Sequence, residues 1–528
     1  MNKFSNESFY ITTAIDYVNG APHIGHAYEK IITDVIARHF SQRQSKDNGV
    51  YFLTGTDEHG IKIQKTAAEK GIEPQQMCDD NASKFIEAWK ALDVDYNQFI
   101  RTTDEEHKKI VQRIFKKLVE QGDIYKHSYT GLYCSGCETF LNAKDLSEEG
   151  FCPIHGKKPE EVSEENYFFK LTKYKDKIAK HIKDNPDFIV PSYRATEVLN
   201  QLEEIEDISV SRAKSSVTWG IPVLGDDEQV IYVWIDALSN YITALGYDSE
   251  NDEKFKKYWP ADVQVIGKDI LKFHSIYWPA ILMALGLELP KQLFVHGFIN
   301  INKEKMSKST GNVISPVDIL KAWELEIPDA LRYYVVTAAP VGKDGNYSDE
   351  DFKEKVNADL ANNMGNLLNR TLSMLVKYFD GEVNGEFIGK CSQLIEIKPL
   401  ETVNKVKKCF DNYEIQEAAF EIISLVNLTN KYVADNAPWT LAKENKMQAC
   451  GEVLVNVLEI MCMVSALIYP YCPNIAKEMA RQLKFDLTIK LDDLTLNNIK
   501  ACKLISQEEI KPVFLRLDSE FAEKGKKG

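Results

Sequence analysis

The stretch FYITTAI (9–15) is rich in β-branched and aromatic residues and reads as a buried strand. From Gly25 the pattern changes: Tyr28, Ile31, Ile32, Val35, Ile36 and Phe40 recur at helical spacing. A second short strand, VYFLTG (50–55), follows. Strand, helix, strand is the opening of a parallel α/β sheet, and this order constrains the fold more than any other feature of the chain. Thr103-Asp104-Glu105-Glu106 has the form of a capping box opening a helix that ends at Gly122. From 118 to 229 the texture differs, with short segments, a cysteine cluster and polar helices, which predicts an insertion. Strand-like runs return at VIYVWIDAL (230–238), VQVIG (263–267) and LFVHGFI (293–299), so the sheet resumes. From about 356 to 505 the chain reads as a helical bundle.

Composition narrows the function classes. Of 528 residues, 44% are hydrophobic and 27% charged, an ordinary balance for a globular chain. The net charge of −15 argues against a general nucleic-acid coat, while leaving room for a local basic stripe such as HKKIVQRIFKK (107–117), which otherwise reads as a solvated helix face. The start, MNKFSNESFY, carries no apolar signal region and no Arg-rich amphipathic stretch. The longest apolar run, 460–471, is interrupted by Pro470 and reads as a buried helix. Ten cysteines, mostly scattered, point to reduced thiols and a cytoplasmic location.

Two short motifs carry chemistry. NGAPHIGHAYEK (19–30) puts His23, Gly25 and His26 where strand gives way to helix. Such a corner, at the carboxyl end of a parallel sheet, is where ligands bind, and a helix amino terminus favours anions. Gly25 lets a flat ring press against the backbone, and two imidazoles can donate to phosphate oxygens. Alone, a His-x-x-His pair at a helix start serves capping or packing more often. The polar loop NKEKMSKSTGN (302–312) sets Lys305 and Lys308 around Ser307, which suits a polyphosphate clamp.

HIGH near the amino terminus and KMSKS about 280 residues later are similar to the paired signature of class I aminoacyl-tRNA synthetases. The resemblance implies a Rossmann-like core that activates an amino acid with ATP and Mg²⁺. It implies His23, Gly25, His26, Lys305, Ser307 and Lys308 at the ATP, with His23, His26, Lys305 and Lys308 catalytic. Within that class the strings AIDYVNGAPHIGH (14–26), TGTDEHG (54–60), YCSGCE (133–138), VWIDAL (233–238), GKDILKFH (267–274) and NAPW (436–439) resemble methionyl-tRNA synthetases, over nearly the whole chain. By position, that family's methionine pocket falls on Ile15, Tyr17, Trp234, Ala237, Leu238, Tyr241, Ile270 and His274. Asp57 matches the carboxylate that holds the substrate ammonium. Position 238 is leucine where some relatives have proline. An aromatic-lined pocket suits a long, unbranched thioether, and a polar contact from Tyr241 or His274 to the sulfur would help reject plain hydrocarbons.

Cys134-x2-Cys137, fourteen residues, then Cys152-x2-His155 is a Cys₃His pattern with zinc-ligand spacing. Four protein ligands close the shell, so one structural Zn²⁺ per chain is expected; the resemblance implies that it holds the insertion that rims the active site. In the bundle, Asn366 and Arg370 lie four apart on one helix face, and Pro438-Trp439 follows another helix. An aromatic beside polar side chains can stack an unpaired base while the others read its edges. The resemblance implies that these positions read the CAU anticodon of initiator and elongator methionine tRNAs.

The expected organisation is α/β, with a Rossmann-like catalytic domain in halves 1–117 and 230–300. A connective insertion with the zinc knuckle occupies 118–229, and the KMSKS loop and linker 301–355. An α-helical anticodon-binding domain covers 356–510, and a KPVFLRL strand and tail 511–528. No membrane and no DNA are expected as partners. Many relatives append a domain that makes them dimers, so a monomer is expected. Two other enzyme readings compete: a small-molecule adenylyltransferase, which shares HIGH-like corners, and a cysteinyl-tRNA synthetase, which needs zinc ligands in its pocket. An inactive tRNA-binding descendant is the non-catalytic alternative, against which the intact histidines and lysines argue.

Overall fold

Phe9–Thr13 (β1) is the central strand of a parallel sheet, because both of its faces are apolar and both edges are paired. The computed structural model describes residues 8–43, 49–134, 139–141, 146–147, 149–154, 156–302, 313–388, 393–496 and 498–518. Asp16–Tyr17 (β2) continues β1 along Val50–Asp57 (β3), and Gln98–Arg101 (β4) pairs with the other edge of β3. Val263–Gly267 (β6) lies on the opposite side of β1, followed by Leu293–His296 (β7) and Ile189–Val190 (β5). The order across the sheet is therefore β4-β3-β1-β6-β7-β5, and it reverses direction between β1 and β6. That reversal opens a crevice at the carboxyl ends of these two strands.

Alternation along the strands divides the core in two. Phe9, Ile11, Phe52, Val263, Val265 and Phe294 face one cluster; Tyr10, Tyr51, Leu53, Ile266, Leu293 and Val295 face the other. The first cluster holds helix α1 (Ile24–Ser41) and runs on into the bundle. The second holds α2 (Glu105–Glu120), α3 (Val233–Thr243) and the insertion. The bundle is built from α4 (Asn366–Phe379), α5 (Ile415–Asn436) and α6 (Met447–Ile468), among others. Helix α6 is long and apolar enough to cross a membrane, yet it is almost wholly buried in the bundle.

Four expectations are corrected. VIYVWIDAL is not one strand: Asp226–Ile231 is, and Val233–Thr243 is helical. A short buried apolar run fits either state by pattern alone. The segment 118–229 is not wholly an insertion, since Ile189–Val190 pairs with Leu293 and Phe294 as the edge of the main sheet. The rest of it holds a four-stranded antiparallel sheet of Ile124–Cys134, Thr139–Leu141, Glu160–Phe169 and Ile208–Ser209. At 103–106 no capping box forms: Asp104 is the N-cap without a side-chain bond, and the Thr103 hydroxyl donates to Glu58 instead. KPVFLRL is not a strand. Val513, Phe514 and Leu517 are buried against the bundle, and the main chain of Leu517 bonds the Asn357 amide in both directions. The basic stripe of 107–117 is a solvated face whose cations pair with acids, Lys108 with Glu105, Arg113 with Asp248 and Lys116 with Glu120.

Candidate active site

After β1 the chain turns through Ala14 and Ile15 into β2, then into the corner that starts α1. This turn is fixed by Lys30, whose fully buried ammonium donates to the Ala14 carbonyl (3.2 Å), Asp16 (2.7 Å) and Glu29 (2.9 Å). Glu29 in turn contacts His296 Nε2 at the end of β7 (3.0 Å). Nothing in the helical pattern around Lys30 marks it as buried, because α1 is covered on all sides by sheet and bundle.

Beside this turn lies a cavity of about 730 Å³. All nine residues expected to hold methionine line it: Ile15, Tyr17, Asp57, Trp234, Ala237, Leu238, Tyr241, Ile270 and His274. Tyr17 and Asp57 are ladder partners at the ends of β2 and β3. Trp234, Ala237, Leu238 and Tyr241 share one face of α3, at the three- and four-residue spacing that aligns side chains. His274 sits on a π turn, Phe273–Tyr277, whose Phe273 ring stacks on Trp234 at 3.5 Å between centroids. Phe273, Asp269 and Lys272 also line the cavity; the string GKDILKFH contained them, but residue type gave no signal for them.

The polar end of the cavity has a defined proton arrangement. The Ile270 carbonyl, 3.0 Å from His274 Nδ1, can only accept, so Nδ1 carries the proton. His274 Nε2 therefore accepts from the Tyr241 hydroxyl at 2.7 Å. Burial pushes the His274 imidazole down to about 4 and the Tyr241 phenol well above its ordinary range. Both groups are neutral at physiological pH, and the Tyr241 oxygen turns lone pairs, not its proton, towards other neighbours.

At the corner, His23 is the N-cap of α1. Its Nδ1 accepts from Gly25 N–H (3.1 Å), and its own N–H donates to His26 Nδ1 (3.2 Å). The two rings stack at 3.7 Å. This is a capping box made of imidazoles. Each neutral ring accepts on Nδ1, so each carries its proton on Nε2, the form that can donate to an anion. Capping and function are thus compatible here. Ile24 N–H donates to the Ile314 carbonyl (3.0 Å), so the chain just beyond 303–312 returns to this corner. Lys305, Ser307 and Lys308 lie outside the described residues.

The insertion reaches the cavity through Leu141, Ile154, Phe168 and Arg212. Of the expected zinc ligands, Cys134 and Cys152 are buried and in no disulfide, and Cys137 and His155 lie outside the described residues. Cys134 pairs with Thr139 across the hairpin, and Cys152 opens a turn closed by Gly156 N–H to its carbonyl (2.8 Å). Among the described residues no group of three or more metal-ligating side chains assembles.

In the bundle, Asn366 and Arg370 are exposed on α4, and the Arg370 guanidinium donates to Asn430 on α5 (2.9 Å). Asn430 donates to Asn363 (2.7 Å), which donates to Asn427 (2.8 Å). Pro438 is buried at the first position of a short helix, Pro438–Lys443, and Trp439 is 39% exposed there.

Comparison with known proteins extends these observations. The family described as tRNA synthetases class I (M) matches residues 9–158 and 143–372, and the anticodon binding domain of methionyl tRNA ligase matches 384–509. A methionine–tRNA ligase of Clostridium perfringens is 46% identical over 519 residues, 97% of this chain and 78% of that protein. One of Thermotoga maritima is 44% identical over 484 residues, 90% of this chain and 75% of its own. The structure of Mycobacterium tuberculosis methionyl-tRNA synthetase in complex with methionyl-adenylate superposes with a TM-score of 0.90 at 36% identity, covering 97% of this chain and all of that one. The free form of that synthetase superposes at 0.84 and 33% identity.

Proposed function

The chain belongs to the methionyl-tRNA synthetases of class I, and from that premise we propose which of its residues carry each step. The enzyme is a methionine–tRNA ligase, an aminoacyl-tRNA synthetase that joins methionine to its tRNA at the expense of ATP. In our reading, the methionine side chain enters the cavity between Trp234, Ala237, Leu238 and Tyr241, and Asp57 receives its ammonium. The single observation that supports this most is that nine residues, scattered from 15 to 274, line one cavity at the crevice beside β1.

The methionine carboxylate is already a nucleophile, so the site needs no general base. Its oxygen bonds to the α-phosphorus of ATP as the bond to the pyrophosphate oxygen breaks. Charge grows on the phosphate oxygens, and catalysis is positioning plus electrostatics. His23 and His26 donate from Nε2 to those oxygens, while Lys305 and Lys308, with Ser307, hold the departing pyrophosphate; Gly25 takes the adenine ring. Mg²⁺ bound to the ATP would supply further compensation of the phosphate charge. A ribose hydroxyl at the 3′ end of tRNA then attacks the adenylate carbonyl, and the ester forms as the bond to the phosphate oxygen breaks, releasing AMP and the hydroxyl proton, in the cytoplasm. Asn366, Arg370, Pro438 and Trp439 read the anticodon. Cys134, Cys137, Cys152 and His155 would hold a zinc that braces the insertion: buried thiols at 134 and 152, in no disulfide, suit thiolate ligation, and Ile154, between two of the ligands, lines the cavity mouth.

The test is ATP–pyrophosphate exchange without tRNA, run with each proteinogenic amino acid. Exchange with methionine alone is expected, followed by charging of CAU tRNA. Exchange with cysteine would overturn the pocket; the cavity lining includes no cysteine among the described residues, which favours methionine.

A further inference from the structure

We propose that His59, Asp236 and His107 form a positioning clamp that sets the distance between the two ends of the methionine pocket. The proposal rests on the reading of the cavity given above. Asp236 lies in the first turn of α3 and is 1% exposed. Its Oδ2 is 2.7 Å from His59 Nδ1 and its Oδ1 is 2.7 Å from His107 Nε2. A carboxylate can only accept, so both imidazoles donate to it. His107 Nδ1 is also 2.7 Å from the Thr243 hydroxyl, at the far end of the same helix. One imidazole on α2 thus pins α3 at its start and at its end, about two turns apart.

The third member reaches the other half of the pocket. His59 follows Asp57 by two residues, and its carbonyl accepts the Tyr17 hydroxyl at 2.8 Å. The intervening Glu58 is itself locked, receiving Arg101 through two bonds of 2.7 and 2.9 Å and Thr56 at 2.6 Å. The clamp therefore joins the segment that presents Asp57 and Tyr17 to the helix that presents Trp234, Ala237, Leu238 and Tyr241. None of His59, Asp236 and His107 lines the cavity, so they act through other residues and are positioning residues. Burying a carboxylate is costly, and an apolar side chain at 236 would fill the same space without that cost. What a carboxylate adds is a fixed geometry between two rings, and misplacing a bound reactant by about 1 Å can cost about a hundredfold in rate.

The clamp grips both ends of the methionine pocket, and its hydrogen bonds go to pocket elements and not to His23 or His26. Its loss should therefore act on methionine and spare ATP. Asp236→Asn keeps the volume but leaves only one acceptor oxygen. In exchange assays its methionine KM should rise about tenfold or more while the ATP KM stays within about twofold. Methionine binding without ATP, followed by calorimetry, should weaken in parallel. His107→Gln, whose amide can still donate to Asp236, should retain most of the affinity, and His107→Leu should not. Equal changes in both KM values, or no change in either, would overturn the clamp. If Asp236→Asn does not fold, the His107→Gln and His107→Leu pair decides by the same split. Asp57→Asn separates the two claims: if it leaves the methionine KM unmoved, the pocket reading fails, and if it raises that KM while the clamp variants do not, only the clamp fails.

Discussion

The pair Tyr241–His274 shows how a proton arrangement follows from which atoms can only accept. Ile270 O fixes Nδ1–H on His274, and Nε2 then takes the Tyr241 proton. Sequence suggested a polar contact from either residue to the substrate sulfur; the structure makes Tyr241 a donor already engaged within the wall. Tyr241→Phe should leave His274 Nε2 buried without its donor, a cost of about 1–3 kcal/mol. If that penalty falls on the closed pocket, methionine KM rises about 5–150-fold, and selectivity against norleucine, read as a kcat/KM ratio, narrows. His274 also sets a pH expectation. Its folded pKa is depressed from 6.5 to about 4 by burial. The neutral ring's contribution is thus complete above 6.5 and is lost as pH falls through about 4. Methionine affinity measured by calorimetry should show no inflection from this residue between about pH 5 and 8, and an NMR titration of His274 should find it neutral there. The nine pocket residues were legible in the sequence only through resemblance, since each alone reads as ordinary core. Asp236, His59 and His107 were not singled out, because an imidazole and a carboxylate nearly 180 residues apart carry no local sign of their meeting.

At the scale of elements, the first strand, helix α1 and β3 were legible because their periodicities are long and clean. The first half of Val233–Thr243, within VIYVWIDAL (230–238), was read as strand because buried helix and buried strand look alike over so few residues, and Ile189–Val190 is too short to leave a pattern. The corner of α1 joins local structure to function directly. Its imidazole capping box predicts that capping and chemistry can be separated. His23→Asn keeps a side-chain acceptor at the N-cap, and His26→Gln can still reach back to its backbone N–H. Both variants should fold normally by circular dichroism, yet each removes an Nε2–H donor. Exchange kcat should fall about 10²–10³-fold in each, the effect of losing one donor to developing charge. Unchanged kcat would leave the histidines a capping role alone. The proposed zinc site gives a second expectation at this scale. Elemental analysis of the purified enzyme should find about one zinc per chain, and Cys152→Ala should lose it. Hydrogen exchange should then quicken in Ile124–Cys134 and Thr139–Leu141 and leave the parallel sheet protected.

Across the whole molecule, the sheet face that buries α1 and the helices of the bundle share one continuous core, so catalytic and bundle regions are joined by more than a linker. A buried cation ties the junction. Arg332 is fully buried on Asp329–Thr337 and pairs with Asp34 of α1 at 2.5 Å. Its other donors go to the carbonyls of Leu92, Asp93, Pro470 and Tyr471. Residues 92 and 93 follow a helix of the catalytic half, and 470 and 471 follow α6 of the bundle, so one guanidinium collects chain ends from both. Asp34 is shared with Arg38 (2.7 Å), which leaves its carboxylate balanced by two cations. Removing Arg332 leaves Asp34 with Arg38 and the Asp95 N–H, but strands the carbonyls of Leu92, Pro470 and Tyr471 without this donor beside a fully buried site. Arg332→Met should therefore cost about 3–5 kcal/mol, measured as a lowered urea midpoint by circular dichroism. Replacing Asp34 with leucine as well should recover part of that loss, because the carboxylate left with one of its two cations is gone, although Arg38 then keeps hydrogen bonds to the Asp93 carbonyl and the Tyr469 hydroxyl, and the carbonyls of Leu92, Pro470 and Tyr471 stay without their donor. If the double variant is no more stable than Arg332→Met, the cost comes from the orphaned carbonyls at the junction and not from the carboxylate left with one cation.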